Sequence, residues 1–328
     1  MNIKKVHNTE RIVNAKALVT LLKGEFILKY PKSIAKLWGT GQLDITAQPL
    51  PKPAPGLSTS LNLSRSAMTK LDLNPSVLSI LCGTLLGDGS LKFQKGYANA
   101  RFQYRHSTRQ TDWFMWKTLG PLQEFMGREG IQFQSPDGYQ RKTEPIAGEC
   151  LGKLRVSSLA LPKLTLLQPI IGKKNEIVIQ RHWLNHMNAY FLMTLWLDDG
   201  SLVGRRQGLI CLFSTPVKEL HVLANYIKTV WQIDCKVDII ASKNNMPQLT
   251  INDEENLYKL MVIIAPLIPV KSMLYKVCFY PTDTVLLQRW TAEIKTLVRK
   301  EWHEEIDKQY FYYSVCLQDS KFVPHEEV

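Results

Sequence analysis

Two stretches of the chain are apolar on every side. Val77 to Leu86 is almost continuously hydrophobic, and Ala189 to Leu197 is interrupted only by Thr194. A helix with no polar face is buried all round, so the pattern predicts two helices that bury each other. Asn74-Pro75-Ser76 opens the first, with Pro and Ser suited to a first helical turn. Elsewhere polarity alternates with period two, as in half-buried strands. Arg101, Gln103 and Arg105 share one face of ARFQYRH, while Phe102, Tyr104 and His106 share the other. Gln132 and Gln134 alternate with Ile131 and Phe133, and Lys153, Arg155 and Ser157 with Leu154 and Val156. Further on, Lys236 and Asp238 alternate with Val237 and Ile239, and Gln248, Thr250 and Asn252 with Leu249 and Ile251.

These elements recur. LLGDGSL (85–91) returns as WLDDGSL (196–202), with five of seven positions identical at an offset of 111. Ser107-Thr108 and Ser214-Thr215 each open an amphipathic stretch as N-cap candidates. LLQPIIGKK (166–174) has a counterpart in IAPLIPVKSMLYK (264–276). Three landmarks in one order mark an internal duplication. Each copy reads helix, hairpin, helix, hairpin, helix, an α+β fold of two αββαββα repeats. The expected organisation is a basic N-terminal extension and Pro-rich linker over 1–70, a first repeat over 71–182, a second over 183–290, and a helical tail over 291–328. Pro49, Pro51, Pro53 and Pro55 alternate in the linker and stiffen it.

Charge narrows the partner. The 328 residues carry 41 Lys and Arg against 29 Asp and Glu, a formal charge of +12. Such a surplus points to a polyanion, nucleic acid before an anionic membrane. The polar strand faces above, rich in Arg, Lys, Gln, Asn and Thr, suit its recognition. The longest apolar run, Leu260 to Ile268, is nine residues with a proline inside, against roughly 20 for a membrane span. The six cysteines are dispersed without a CxxC pair, which argues against a zinc knuckle or a disulfide scaffold.

The candidate chemistry lies where the apolar helices end. Each runs into an acid and a glycine, Gly87-Asp88-Gly89 and Asp198-Asp199-Gly200. A helix C-terminus is its negative end and disfavours a carboxylate. If the helices pack along each other, Asp88 and Asp199 face one another and raise each other's pKa unless a cation intervenes. Their oxygens, with the freed carbonyls of Gly87 and Asp198, describe a site for a hard divalent ion, Mg²⁺ first. Such an ion beside a phosphodiester activates water and stabilises the leaving oxygen.

LCGTLLGDG (81–89) and LMTLWLDDG (192–200) resemble the two motifs of the LAGLIDADG homing endonucleases, in particular the single-chain, two-motif branch encoded within introns. The resemblance covers about 74–290. It implies that the motif helices form the central interface and that saddle-shaped antiparallel sheets sit in the DNA major groove. It also implies that the motif acids cut both strands across the minor groove. Asp88 and Asp199 then match the metal-binding catalytic acids. Gln103 falls where the family often has a polar residue near the attacking water, with Cys211 or a neighbour as its counterpart. Lys174 (or Lys173) and Lys276 fall near the family's basic residues beside the scissile phosphates. Gly83 supplies the small residue for close helix contact, but the second motif has Thr194 there, which predicts a slightly wider contact.

The function expected is site-specific, Mg²⁺-dependent hydrolysis of double-stranded DNA by a monomer. Specificity is assigned to Arg101, Arg105, Lys153, Arg155, Lys236, Gln248, Thr250 and Asn252, with Arg205 and Arg206 at the edge of the second hairpin. The alternative is an intron maturase that binds structured group I or group II intron RNA without cutting. Either fits an organelle, mitochondrion or chloroplast.

Overall fold

The computed structural model describes residues 73–93, 96–134, 152–171, 177–204, 206–212, 215–240 and 246–318. The basic extension and Pro-rich linker, Lys173, Lys174, Arg205, Ser214, Cys150 and the last ten residues lie outside these.

Helix α1 (Pro75–Leu86) leads into the hairpin β1 (Gly89–Lys92) and β2 (Arg101–Ser107). Helix α2 (Thr111–Leu119), strands β3 (Met126–Gln134) and β4 (Lys153–Ser158), and the short α3 (Pro162–Thr165) follow. After a single-turn helix, α4 (Arg181–Leu184), the order repeats: α5 (Ala189–Asp199), β5 (Gly200–Val203), β6 (Gln207–Ile210), α6 (Val217–Trp231), β7 (Lys236–Ile240), β8 (Met246–Ile251) and α7 (Glu254–Ile264). Helices α8 (Thr284–Leu297) and α9 (His303–Gln318) end the described chain. The fold is α+β with two antiparallel four-stranded sheets, ordered β1-β2-β4-β3 and β5-β6-β8-β7. The shared strand order is the duplication of the sequence written in hydrogen bonds.

The chain divides into two compact units. One holds residues 89–165, the first sheet with α2 and α3. The apolar sheet face carries Phe102, Tyr104, Leu154 and Val156, all buried, and α2 covers it with Trp113 and Phe114. Lys117 of α2 is fully buried, its ammonium 4.8 Å from the ring centroids of both Tyr104 and Trp113. The electron-rich ring faces stabilise the cation there. Tyr104 Oη and Thr118 Oγ1 share a 2.6 Å hydrogen bond.

The other unit holds residues 73–88 and 166–318. Helix α1, the first helix of the described residues, groups here because it packs along α5. The starts of the two helices are tied. Asn74 caps α1 by accepting from Ser76 N at 2.8 Å, and Asn188 caps α5 by accepting from Tyr190 N at 3.0 Å. Asn188 also donates its backbone N–H to Ser79 Oγ at 3.0 Å and its Nδ2 to Ser76 Oγ at 3.2 Å. Midway, a Cβ built on Gly83 would stand 2.9 Å from Thr194 Cβ and 3.1 Å from Phe191 O. The helices therefore touch at Thr194, and the wider contact expected there is not observed. Burial beside this contact pushes the Cys82 thiol up to about 12, so it stays protonated and inert.

Other details differ from expectation. Helix α6 starts after Pro216, which offers no side-chain cap, rather than from Ser214-Thr215. Helix α8 begins ahead of residue 291 and buries Trp290 and Ile294. Helix α9 is anchored through Tyr310, whose hydroxyl donates to Phe279 O at 3.2 Å. Cys82, Cys211, Cys235 and Cys278 are not joined in disulfides. No helix among the described residues is long and apolar enough to cross a membrane.

Candidate active site

The C-terminal ends of α1 and α5 bring carboxylates together within one unit. Asp88 follows α1, and Asp198 and Asp199 form the last residues of α5. Carboxylate oxygens of Asp88 and Asp198 lie within 4.8 Å of each other. The Asp199 carboxylate sits against Gly87: a Cβ there would overlap Oδ2 and stand 2.8 Å from Cγ. Gly87 is thus a cradle that only glycine leaves open. The duplication explains the pairing, since Gly87 and Asp198 occupy the same motif position. Asp199 packs on Gly87, and Asp88 approaches Asp198.

The sequence offers Asp198 as a carbonyl ligand; its side chain, only 8 % exposed, also brings a carboxylate to the end of α5. The signal was available as an acid standing where the other motif has glycine.

Asp88 and Asp198, two carboxylates this close at helix C-termini, repel each other. A hard divalent ion relieves that repulsion, and an all-oxygen donor set suits Mg²⁺, Mn²⁺ or Ca²⁺. Asp88 and Asp198 would hold it, with Asp199 lodged against the neighbouring Gly87. The Gly87 cradle, with room for the Asp199 carboxylate and nothing more, fits the same use.

Lys276 lies against the end of α5. It is 7 % exposed, and its ammonium donates to Leu197 O at 2.6 Å and to Asp198 O at 3.5 Å. Its own carbonyl accepts from Trp196 Nε1 at 2.8 Å. Together with Gly200 N to Trp196 O and Cys211 N to Asp199 O at 3.1 Å, this satisfies the last four carbonyls of α5. Lys276 thus caps the motif helix. Lys276→Met should therefore destabilise the fold by about 1–3 kcal/mol, since Leu197 O is left buried and unpaired. Chemical denaturation measures it. Unchanged stability would remove the capping role.

The other candidates fall on the two sheets. In the first, Arg101, Lys153 and Arg155 are half-buried, Arg105 is exposed, and Gln103 is buried. Gln103 Oε1 accepts a hydrogen bond from Arg155 Nη2. In the second, Lys236, Asn252 and the turn residue Arg206 are exposed, whereas Gln248 and Thr250 are buried. The ladders also correct one correspondence. Gly89 pairs with Tyr104 and Gly200 with Ile210, so Gln103 opposite Ser90 matches Leu209 opposite Ser201. The counterpart of Gln103 is Leu209, not Cys211. Lys92, opposite Arg101, joins the polar face of the first sheet. The period-two pattern extended into GSLK would have found it.

The sequence profile of the LAGLIDADG DNA endonuclease family matches residues 78–257. Among solved structures, the chain is similar to the homing endonuclease I-WcaI bound to its DNA recognition sequence, with a TM-score of 0.52 and 16 % identity over 69 % of this chain and 97 % of that one. It is also similar to the N-terminal LAGLIDADG domain of DUF199/WhiA (TM-score 0.37, 13 % identity, 72 % and 98 % covered) and to I-DmoI in complex with DNA and Mn (0.34, 14 %, 58 % and 98 %). No curated protein sequence matches. The profile spans more than half of the chain and both motif helices, and the first of these structures shares the fold, so this chain belongs to the LAGLIDADG DNA endonuclease family.

Proposed function

We propose that the chain is a site-specific endonuclease that hydrolyses both strands of a duplex DNA target with Mg²⁺, acting as a monomer because one chain carries both motifs. The observation that supports it best is the approach of Asp88 to Asp198 at the ends of paired motif helices, with Asp199 lodged against Gly87. Mg²⁺ bound there would supply an activated water and neutralise charge on the leaving oxygen. Asp88 and Asp199 hold it, one from each motif. Asp198 adds charge on the second side. Lys276 fixes the end of α5 and so the reach of both its acids. Gln103, held by Arg155, is assigned to orienting the attacking water. The five described cations of the first sheet bind phosphates and bases.

The test is a cleavage selection. The full-length protein is incubated with a random duplex library and Mg²⁺, and newly formed ends are sequenced. Ends converging on one sequence, and absent without divalent ion, are expected. Tight binding to structured intron RNA with no scission of any duplex would replace this reading with the maturase.

A further inference from the structure

The two sheets share a topology but not a charge pattern. Residues opposite each other on neighbouring strands share a face. In the first sheet the register therefore collects Lys92, Arg101, Arg105, Lys153 and Arg155 on one face. Lys92 lies directly opposite Arg101, and Arg105 directly opposite Arg155. The other described side chains of that face, Ser90, Gln103, Ser107, Ser157 and Gln132, are neutral. Like charges directly opposite one another destabilise a sheet. A face with five cations and no acid among its described side chains suits a polyanion.

The matching face of the second sheet is different at the same register. Leu209 stands where Gln103 does, and Gln207 stands where Arg101 does. Gln248 lies opposite Asp238, and Thr250 lies between Leu209 and Lys236. One residue past β6, Cys211 Sγ reaches Gln248 Oε1 at 3.9 Å. Lys236 and Asp238 cancel, so the described face is neutral. Arg206 sits in the hairpin turn, off this ladder.

We infer that the two sheets engage the target by different physics. The first sheet neutralises phosphates and carries the salt-dependent affinity. The second reads bases through its accessible neutral groups, exposed Gln207 and half-exposed Leu209, the latter suited to the apolar methyl group of thymine in the major groove. The inference rests on the DNA-endonuclease reading and goes beyond it by assigning affinity and discrimination to different repeats.

Salt titration tests it. The full-length protein in EDTA is titrated with a labelled random-sequence duplex of about 24 bp, and log K is plotted against log salt. R105Q/R155Q should reduce the slope by about 1.8, since each phosphate contact contributes about 0.9. R105K/R155K should retain the slope, which separates charge from loss of fold. K236Q/D238N should move it by less than about 0.3. On the selected target, L209A should relax preference at one base pair by about tenfold, at unchanged slope. Equal slope losses from the two sheets, or none from R105Q/R155Q, would overturn the inference while leaving the endonuclease reading intact. Failure of the wild-type protein to bind any duplex would overturn both.

Discussion

Asp88→Asn and Asp199→Asn should each abolish cleavage of the selected target while leaving duplex binding within a few-fold of wild type. The substitution is nearly isosteric and removes one negative charge. Outer-shell changes at metal sites already cost about 10–100-fold, so loss of a directly coordinating carboxylate should exceed about 100-fold. Stability should move the other way. Each acid lies at a helix C-terminus, so neutralising it should stabilise the metal-free fold by a few tenths to about 1 kcal/mol. Asp198→Asn should do the same, with a smaller loss of cleavage, because the corresponding position of the first motif is Gly87. Added Ca²⁺ should raise the melting temperature of the wild type and do so less in each variant. A variant that cuts both strands at the wild-type rate, or keeps the full Ca²⁺ shift, would remove that acid from the metal site.

Much of this arrangement is written in the sequence because its physics is local or repeated. An all-apolar helix has few alternatives to a buried partner, so Val77–Leu86 and Ala189–Leu197 announced the α1–α5 pair. Asp-Gly after each helix marked the site. Period-two alternation assigned faces to the strands correctly. Other features depend on distances the pattern does not carry. The β1–β2 connection has eight residues and the β5–β6 connection three, so an offset taken from flanking landmarks drifts inside the hairpin, and Gln103 was matched near Cys211 instead of Leu209. Alternation assigns a face but not a depth, which hid the burial of Gln248 and Thr250. Lys276 was placed by its distance from the motif along the chain. That Trp196 Nε1 bonds its carbonyl and turns its ammonium onto α5 is a tertiary fact.

Gly83→Val should strongly destabilise the paired motif helices. Even a Cβ at Gly83 stands 2.9 Å from Thr194 Cβ, 3.1 Å from Thr194 Cγ2 and 3.1 Å from Phe191 O. The last of these is backbone and cannot turn aside. Overpacking of this kind costs about 1–3 kcal/mol and occasionally more, and valine's two methyls should place it at or above the upper end. Gly83→Ala should lie lower, since alanine recovers about 1 kcal/mol of helix propensity relative to glycine. The decisive comparison is the swap. G83A/T194G moves the small residue to the other helix, exchanges the propensity terms and removes Thr194 Oγ1, which is buried with no hydrogen-bond partner among the described residues. It should restore most of the stability lost in G83A. Cleavage should follow the contact more steeply than stability does. The pair carries Asp88 at one helix end and Asp199 at the other, and displacement of reacting groups by about 1 Å costs on the order of 100-fold in rate. G83V protein that still folds should therefore bind duplex DNA through its sheets and cut it at least about 100-fold more slowly. Denaturation midpoints and plasmid nicking rates decide it. Wild-type behaviour of G83V, or a swap that compounds the damage of G83A, would mean that this contact does not hold the two acids in place.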